Sequence, residues 1–322
     1  METTTTPERI MLGKTSLQIS PLGVGTWQWG DRMVWAYGRS GFTDADLRAG
    51  FEDSLAAGIN FFDTAEAYGN GHSETLLGQF VRACGQSPVI ATKFMPYPWR
   101  LSKSSLRASL INSLARLGLK KVDLYQMHWP LPPVPVETWA GALADAVDAG
   151  LVTAVGVSNY SRSQMRRAYG TLAKRGIPLA SNQVRFNLFD RKAEKSGLLQ
   201  ACHELGVTLI AYSPLAQGML TGKYTLRHPI LGMRGFAYAW FLGSIQPLIR
   251  LMRQIGEAHG GKSPAQVALN WVICKGAVPI PGAKNQRQAH ENIGALGWLL
   301  TADEVNQLDM ASNRVRWPIS FK

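Results

Sequence analysis

Eight short apolar runs, each followed by a longer amphipathic segment, recur along this chain of 322 residues. The runs have the length and β-branched character of buried strands, whereas the segments have the apolar spacing of surface helices. Strand–helix units in series build a parallel sheet through right-handed crossovers, and eight units are the number that closes a barrel. We therefore predict an α/β fold of the (β/α)8 TIM-barrel class, with a doubly wound open sheet as the alternative.

The residues between the units support this division. Five glycines follow helical patterns where a left-handed residue ends a helix, and two serines stand where N-cap side chains are expected. These residues are Gly58, Gly118, Gly150, Gly176 and Gly206, and Ser104 and Ser263. The predicted strands are residues 22–25, 59–63, 89–93, 122–127, 152–157, 181–184, 207–212 and 277–280. The predicted helices are residues 44–57, 73–83, 104–117, 136–149, 162–175, 197–205, 264–275 and 287–295, with a long loop after the seventh strand.

Two further elements lie outside the repeat. Residues 11–14 and 17–19 predict a small β-hairpin before the first strand, and residues 303–317 predict an extra C-terminal helix and tail. No linker or change in composition divides the chain. We predict one domain over residues 1–322, of which residues 1–9 form a flexible tail.

The chain is strongly basic, with 34 Lys and Arg against 22 Asp and Glu, a formal net charge of +12. This charge suits a nucleic acid, an anionic membrane surface or an anionic small ligand. The cations are scattered, and their densest groups are pairs such as Arg166-Arg167 and Lys120-Lys121. That scatter disfavours a nucleic-acid partner.

Cysteine content and hydropathy indicate the compartment. Three cysteines, odd in number and far apart, argue against a disulfide framework and suit a reducing compartment. The N-terminus lacks the basic and apolar regions of a secretory signal. Gly243 and Pro247 interrupt the longest uncharged stretch, which is too short to cross a membrane. We expect a cytoplasmic protein with no membrane partner and no metal site.

Polar side chains stand at the ends of the predicted strands. Asp63 ends the second, Lys93 the third, and His128 follows the fourth. Each has an ordinary structural explanation when taken alone, but the barrel would bring them to one rim. Asp63 and Lys93 would form an ion pair beside Tyr68, and a cation there favours the phenolate and lowers its pKa from ~10. Such a phenol is a candidate general acid for a carbonyl oxygen, with an imidazole nearby.

Several motifs together resemble the aldo-keto reductase superfamily. They are Asp63-Thr64-Ala65-Glu66-Ala67-Tyr68-Gly69, Ala91-Thr92-Lys93, Asp123 to Pro130, Gly156-Val157-Ser158-Asn159-Tyr160, Ala211 to Gly218, and Ile280 to Asn285. The resemblance runs in order from about residue 13 to about residue 308. It is close to the branch of plant and cyanobacterial reductases that includes pyridoxal reductases.

The resemblance implies reduction of aldehydes and ketones with NADP(H). It makes Tyr68 the proton donor and gives Lys93, held by Asp63, the task of lowering the pKa of that phenol. His128 would orient the carbonyl or assist proton transfer. The partner is expected to be a small carbonyl substrate, and the protein is expected to be a monomer. The alternative is an NADPH-binding regulatory subunit resembling potassium-channel β subunits, which keep the same four residues.

The cofactor residues are also implied by the resemblance. Ser158, Asn159 and Gln183 match the positions that hold the nicotinamide carboxamide, and Tyr212 matches the ring that stacks on the nicotinamide. The remaining positions are Thr26, Trp27, Ser213, Pro214, Leu215, Gln217, Gly218 and Lys223, and, for the adenine and 2′-phosphate, Pro281, Gly282, Lys284, Gln288, Glu291 and Asn292. Glycine backbone, a lysine and a helix start near Arg287 suit an anion independently of the family. His290 either strengthens NADP(H) binding or is an exposed helical residue.

Aromatic residues are dense in the predicted rim loops. Trp27, Trp29, Phe94, Trp99 and Trp129 are predicted to line the substrate pocket, whereas Trp35, Tyr37, Tyr97 and Trp240 are predicted to pack the loops onto the barrel. Such walls suit aromatic or medium-chain aldehydes better than highly charged sugars. Pyridoxal is one candidate among several.

Overall fold

Eight parallel strands hydrogen-bond to their chain neighbours around a barrel in the computed structural model, which describes residues 7–32, 35–39, 41–225, 228 and 241–315. The strands are β3 (Val24–Gly25), β4 (Phe61–Asp63), β5 (Val89–Phe94), β6 (Val122–Met127), β7 (Val152–Ser158), β8 (Leu179–Arg185), β9 (Thr208–Tyr212) and β10 (Val278–Ile280). The amide of Gly25 donates to the carbonyl oxygen of Pro281 at 3.0 Å, and a parallel bridge joins Gly25 to Gly282. The last strand therefore meets the first, and the predicted barrel is confirmed.

Helices follow the barrel strands and cover their outer faces. They are α1 (Asp44–Ala56), α2 (His72–Cys84), α3 (Lys103–Leu117), α4 (Val136–Asp148), α5 (Arg162–Ala173), α6 (Lys192–Lys195), α7 (Leu198–Leu205), α8 (Leu242–Ala258), α9 (Pro264–Cys274), α10 (Gln286–Ile293) and α11 (Ala302–Asn313). The five predicted helix-ending glycines all have φ between 67° and 83°. Ser263 caps α9 and Pro264 is its first residue, as predicted. The extra C-terminal helix is α11.

The predicted hairpin is present as β1 (Ile10–Met11) and β2 (Gln18–Ile19), which pair antiparallel. Leu12 and Ile19 are fully buried and join the cluster of side chains that fills the barrel interior. The amide of Gly13 donates to Thr208 Oγ1, at the start of β9, at 2.7 Å. The hairpin therefore closes the amino-terminal end of the barrel, and the opposite end is left for a site.

Two sequence predictions about helices are wrong. The N-cap of α3 is Ser102 rather than Ser104, because the helix begins at Lys103 and Ser102 has the extended backbone of a cap. The loop after β9 contains the 17-residue helix α8, which buries one apolar face even though it includes Pro247. Residues 1–6, within the predicted tail, and residues 316–322 lie outside the described part of the chain.

Candidate active site

A cavity of about 610 Å³ opens at the end of the barrel where the parallel strands finish. Asp63, Tyr68 and His128 line it, and Lys93 lies fully buried beneath them. Every residue predicted to contact the cofactor also lines this cavity. They are Thr26, Trp27, Ser158, Asn159, Gln183, Tyr212, Ser213, Pro214, Leu215, Gln217, Gly218, Lys223, Pro281, Gly282, Lys284, Gln288, Glu291 and Asn292.

The ammonium of Lys93 is the centre of a buried polar network. Its Nζ donates to Asp63 Oδ1, to the carbonyl oxygen of Thr64 at 2.8 Å and to the Tyr68 hydroxyl at 3.3 Å. Three acceptors match the three N–H groups of an ammonium. Burial by itself lowers the pKa of Lys93, but Asp63 and Tyr68 raise it, and the balance lies above the usual pKa of lysine. The lysine is therefore a fixed positive charge.

Asp63 is held by two further donors that converge on its other oxygen. Gln183 Nε2 donates to Asp63 Oδ2 at 2.8 Å and Gln126 Nε2 donates to it at 3.1 Å. Ser181 Oγ in turn donates to Gln126 Oε1 at 3.3 Å. Sequence reasoning missed Gln126, although a polar residue in a mostly apolar strand was a usable signal; its side chain is fully buried.

Tyr68 begins a 3-10 turn, Tyr68–Gly71, between β4 and α2. Gly69 and Asn70 have φ values of 56° and 55°, in the left-handed region that favours glycine and tolerates asparagine. A Cβ atom at Gly69 would lie 2.6 Å from the carbonyl oxygen of Gly30, so the turn requires glycine there.

Buried hydrogen bonds fix α2, which follows this turn. Glu74 is fully buried and accepts from Thr92 Oγ1 and from Arg116 Nε, the latter at 2.6 Å. Ser73 Oγ donates to the carbonyl oxygen of Thr26 at 3.0 Å. The turn that carries the phenol is therefore tied to β3, β5 and α3.

The pKa of Tyr68 is raised, contrary to the sequence prediction. Burial raises it, and the opposing charge of Lys93 does not fully compensate. The sequence indicated a nearby cation but not how far the surrounding protein shields the phenol from water. The phenol therefore carries its proton throughout the neutral range.

The imidazole of His128 faces the cavity in its neutral form. Burial and the nearby Lys93 lower the pKa of His128 to about 3. Its ring meets the Tyr68 ring edge to face, with centroids 5.7 Å apart. Within the described residues, its buried Nδ1 has no hydrogen-bond partner. The imidazole is therefore available as a neutral polar group beside the phenol.

Side chains at the ends of β7 and β9 form a hydrogen-bonded row. The Tyr212 hydroxyl donates to Asn159 Oδ1 at 2.9 Å, and Asn159 Nδ2 donates to the carbonyl oxygen of His128 at 3.0 Å. Ser158 Oγ donates to the carbonyl oxygen of Gln183 at 2.8 Å. This row links the wall that carries Tyr212 to the position of His128.

One end of the cavity is cationic. Lys284 and Arg287 line it, where α10 begins with Asn285 as its N-cap, and Lys223 adds a third cation to the cavity wall. The first turn of a helix exposes backbone N–H groups and a partial positive charge. Among the described residues at this end, one acidic residue, Glu291, lines the cavity. Its carboxylate accepts a hydrogen bond from the Ser263 hydroxyl. The composition of this end fits a phosphate group.

The Gln28 side chain packs against the backbone of Gly282 beside these cations. A Cβ atom at Gly282 would lie 1.9 Å from Gln28 Oε1, so a larger residue there would force the Gln28 side chain to move. Gln28 Oε1 is buried and has no hydrogen-bond partner among the described residues. An unpaired acceptor at a cavity wall is satisfied by a ligand hydroxyl or amino group. The residues present therefore fit an anionic dinucleotide.

The comparison with family models decides the family. The aldo/keto reductase family model matches residues 21–313. The chain belongs to the aldo/keto reductase family. It is thus an oxidoreductase that reduces carbonyl groups, in a family whose members typically use NAD(P)H. The resemblance found in the sequence motifs is confirmed.

Named relatives of this aldo/keto reductase match over most of its length. A chloroplastic pyridoxal reductase from Arabidopsis thaliana is 42% identical over 92% of this chain and 84% of its own. An L-glyceraldehyde 3-phosphate reductase from Escherichia coli is 32% identical over 92% of this chain and 90% of its own. A solved glycerol dehydrogenase from Gluconobacter oxydans, at 28% identity, superposes with a TM-score of 0.80 and covers 98% of each chain.

Three of the predicted pocket residues of the reductase do not line the cavity. Trp29 and Phe94 are fully buried, where Trp29 Nε1 donates to the carbonyl oxygen of Ala283 and Phe94 packs on Trp139. Trp99 is 73% exposed and stacks on Tyr97 outside the cavity. The direction of a side chain beyond a strand end depends on loop backbone, which residue type does not indicate.

Other residues form the apolar walls of the cavity. Trp27 and Trp129 line it as predicted, and Trp35, Met95 and Tyr224 line it although the sequence did not mark them as pocket residues. Arg185, at the end of β8, and Gln28 were also missed. Trp240 lies outside the described residues.

His290 is an exposed helical residue rather than part of the cavity. Its imidazole is 70% exposed and Nε2 lies 2.9 Å from Asp53 Oδ2 on α1. In the described part of the chain, no helix is long and apolar enough to cross a membrane, and no three His, Cys, Asp or Glu side chains cluster as metal ligands would.

Proposed function

We propose that this enzyme reduces small aldehydes to alcohols with NADPH, with Tyr68 as the proton donor and pyridoxal as the first substrate to test. The observation that carries the proposal is the contact of Lys93 Nζ with the Tyr68 hydroxyl at 3.3 Å, directly beneath an apolar-walled cavity. A protonated phenol, a fixed ammonium and a neutral imidazole form one group there.

The chain offers a complete set of positions for the cofactor. Tyr212 would offer its ring to the nicotinamide, and Ser158, Asn159 and Gln183 would offer its carboxamide the hydrogen-bonding capacity that their protein contacts leave. When bound, NADPH supplies the hydride that reduces the carbonyl carbon. The protein has to position the carbonyl and stabilise the negative charge that develops on its oxygen.

The proton for that oxygen comes from Tyr68. Burial keeps the phenol protonated, so it can hydrogen-bond to the carbonyl oxygen and transfer the proton as charge develops. Lys93 then stabilises the phenolate that remains, while Asp63 keeps the buried lysine charged. Solvent returns the proton to Tyr68 after the alcohol leaves. His128 stays neutral and orients the carbonyl oxygen by a hydrogen bond.

The preference for NADPH over NADH is assigned to Lys284. It lies beside the start of α10, and Arg287 on the first turn of that helix lines the same end. Lys284 Nζ is 5.1 Å from the centroid of the Phe42 ring and 5.5 Å from that of Trp35, which fixes its direction. A 2′-phosphate gains a charge-assisted contact there that NADH lacks.

Pyridoxal is proposed as a substrate for two reasons. Trp27 and Trp129 give the cavity flat aromatic walls that suit an aromatic ring, and Met95 adds an apolar surface. The Arabidopsis relative at 42% identity is named a pyridoxal reductase. We further propose a cytoplasmic monomer; its three cysteines are free, which suits a reducing compartment.

The proposal is tested by following NADPH oxidation with pyridoxal, 4-nitrobenzaldehyde and a simple ketone, and by repeating each assay with NADH. We expect turnover of the aldehydes and higher kcat/KM with NADPH. Tight NADPH binding without oxidation by any carbonyl compound would instead support a regulatory subunit.

A further inference from the structure

We infer that Asn187, a buried residue outside the cavity, positions the segment 213–218 for the cofactor. This inference rests on the proposed function, which assigns that segment to the dinucleotide. Five of its residues line the cavity, namely Ser213, Pro214, Leu215, Gln217 and Gly218. Asn187 itself does not line it and is 1% exposed.

The segment has an unfavourable backbone. Ser213, Ala216 and Gln217 have φ values of 50°, 47° and 55°, and Gly218 has a φ of 92°. Residues with a Cβ atom rarely adopt this left-handed region, and they keep it only where the surroundings enforce it. Because this backbone is unfavourable, we expect a neighbouring residue to hold Ser213, the first residue of the segment, in place.

Asn187 makes that contact. Its Nδ2 donates to the carbonyl oxygen of Ser213 at 2.9 Å. Its Oδ1 accepts from the amides of Phe189 and Asp190 at 2.8 and 2.9 Å. The turn therefore fixes the oxygen of the Asn187 side-chain amide. The nitrogen of the same amide holds the carbonyl group of Ser213.

The turn that carries Asn187 is itself anchored to the C-terminal helix α11. The Ser312 hydroxyl donates to the carbonyl oxygen of Leu188. Arg191 Nη1 donates to the carbonyl oxygen of Asp309 at 2.9 Å, and Arg191 Nη2 lies 3.0 Å from Asp309 Oδ2. The C-terminal helix thus supports the cofactor segment through Asn187, and we expect the segment to keep this backbone without the cofactor.

The sharpest variant is Asn187→Asp. A carboxylate still accepts from the Phe189 and Asp190 amides but cannot donate to Ser213. We expect the Kd for NADPH, measured by quenching of protein fluorescence, to rise about tenfold near pH 8, as loss of a buried hydrogen bond predicts. A protonated carboxyl donates again, so the ratio of variant to wild-type Kd should fall as the pH is lowered. A general loss of stability would not produce that recovery.

Asn270→Asp is the matched control. Asn270 is fully buried, donates to the carbonyl oxygens of Ala295 and Trp298, and accepts from the Leu300 amide, none of which lines the cavity. We expect it to lower stability without changing the Kd for NADPH. Equal weakening by both variants, or a Kd for Asn187→Asp within twofold of wild type, would overturn the inference. If wild-type protein itself does not bind NADPH, the proposed function fails instead.

Hydrogen exchange of the wild-type protein gives a test that does not depend on how any variant folds. A preformed segment should have its Gly218 amide, which donates to the Leu215 carbonyl oxygen at 2.9 Å, protected without NADPH. Exchange at the rate of an unstructured loop, with protection only after NADPH is added, would contradict a preformed segment.

Discussion

The Lys93 ammonium bonds to the Asp63 carboxylate and, at 3.3 Å, to the Tyr68 hydroxyl, with Lys93 fully buried. This relationship joins stability to chemistry. The same ion pair that keeps a charge inside the barrel keeps that charge next to the phenol. We therefore expect a change to Lys93 or Asp63 to lower both the stability of the fold and the rate of catalysis. The two losses can be measured separately.

Removing one partner of this ion pair should destabilise the fold more than removing both. Lys93→Met leaves Asp63 buried without its counter-charge, and such losses cost about 3–5 kcal/mol. Lys93→Met combined with Asp63→Asn leaves no charge behind, so its free energy of unfolding should lie closer to wild type. Urea unfolding of the three proteins measures this, and equal stabilities of the single and double variants would contradict the buried pair.

His128 should contribute to the acid sensitivity of the fold. Its pKa in the folded protein is about 3, below the ~6.5 of an unfolded chain, so the unfolded state binds the proton first as the pH falls. The stabilising effect is therefore fully present above about pH 6.5 and is lost as the pH falls towards 3. His128→Gln should flatten this decline by about 1 kcal/mol at pH 5, because the cavity-facing ring is partly solvated. An unchanged pH dependence of urea unfolding would show that the fold does not lower the pKa of His128.

Lys284→Ala should weaken the binding of NADPH much more than the binding of NADH. The lysine is assigned to the 2′-phosphate, and loss of a charge-assisted contact predicts about a tenfold higher Kd for NADPH. Lys120→Ala removes an exposed charge elsewhere and serves as the control. Titrations with both cofactors measure the two Kd values. An equal rise in both would show that Lys284 does not contact the 2′-phosphate.

Two tryptophans of neighbouring rim loops should behave differently. Trp129 lines the cavity and is 39% exposed, whereas Trp99 is 73% exposed and stacks outside it. Trp129→Ala should raise the KM for pyridoxal about tenfold, since an aromatic wall is lost. Trp99→Ala should leave it unchanged. A larger rise in KM for Trp99→Ala than for Trp129→Ala would show that Trp99 lines the substrate pocket, as the sequence predicted.

The barrel was predictable because its signals are local and repeated. A strand pattern and a helical pattern recur eight times, and a glycine such as Gly58 or Gly118 ends five of the helices, so a shifted boundary does not alter the fold. Helix α8 was missed because Gly243 and Pro247 break the local pattern, while its stability comes from the buried face of Ile245 and its neighbours. Tertiary packing outweighs propensity there.

The sequence could predict which residues form the candidate site. It could not predict where their side chains point or how their pKa values shift. Asp63, Lys93 and His128 stand at strand ends, which topology alone brings to one rim. Burial has no local signal, and burial decides that the pKa of Tyr68 rises despite the adjacent lysine. Gln126 was visible as a polar residue in an apolar strand, but its contact with Asp63 depends on the register of neighbouring strands.

The central claim is that Tyr68 supplies the proton in carbonyl reduction, and Tyr68→Phe tests it most directly. The measurement is single-turnover oxidation of NADPH by pyridoxal, made alongside the Kd for NADPH on the same preparations. We expect the rate to fall by at least about a hundredfold, as loss of a general acid predicts, with a Kd within twofold of wild type. A variant that binds NADPH normally and still reduces pyridoxal at a rate near that of wild type would contradict the account.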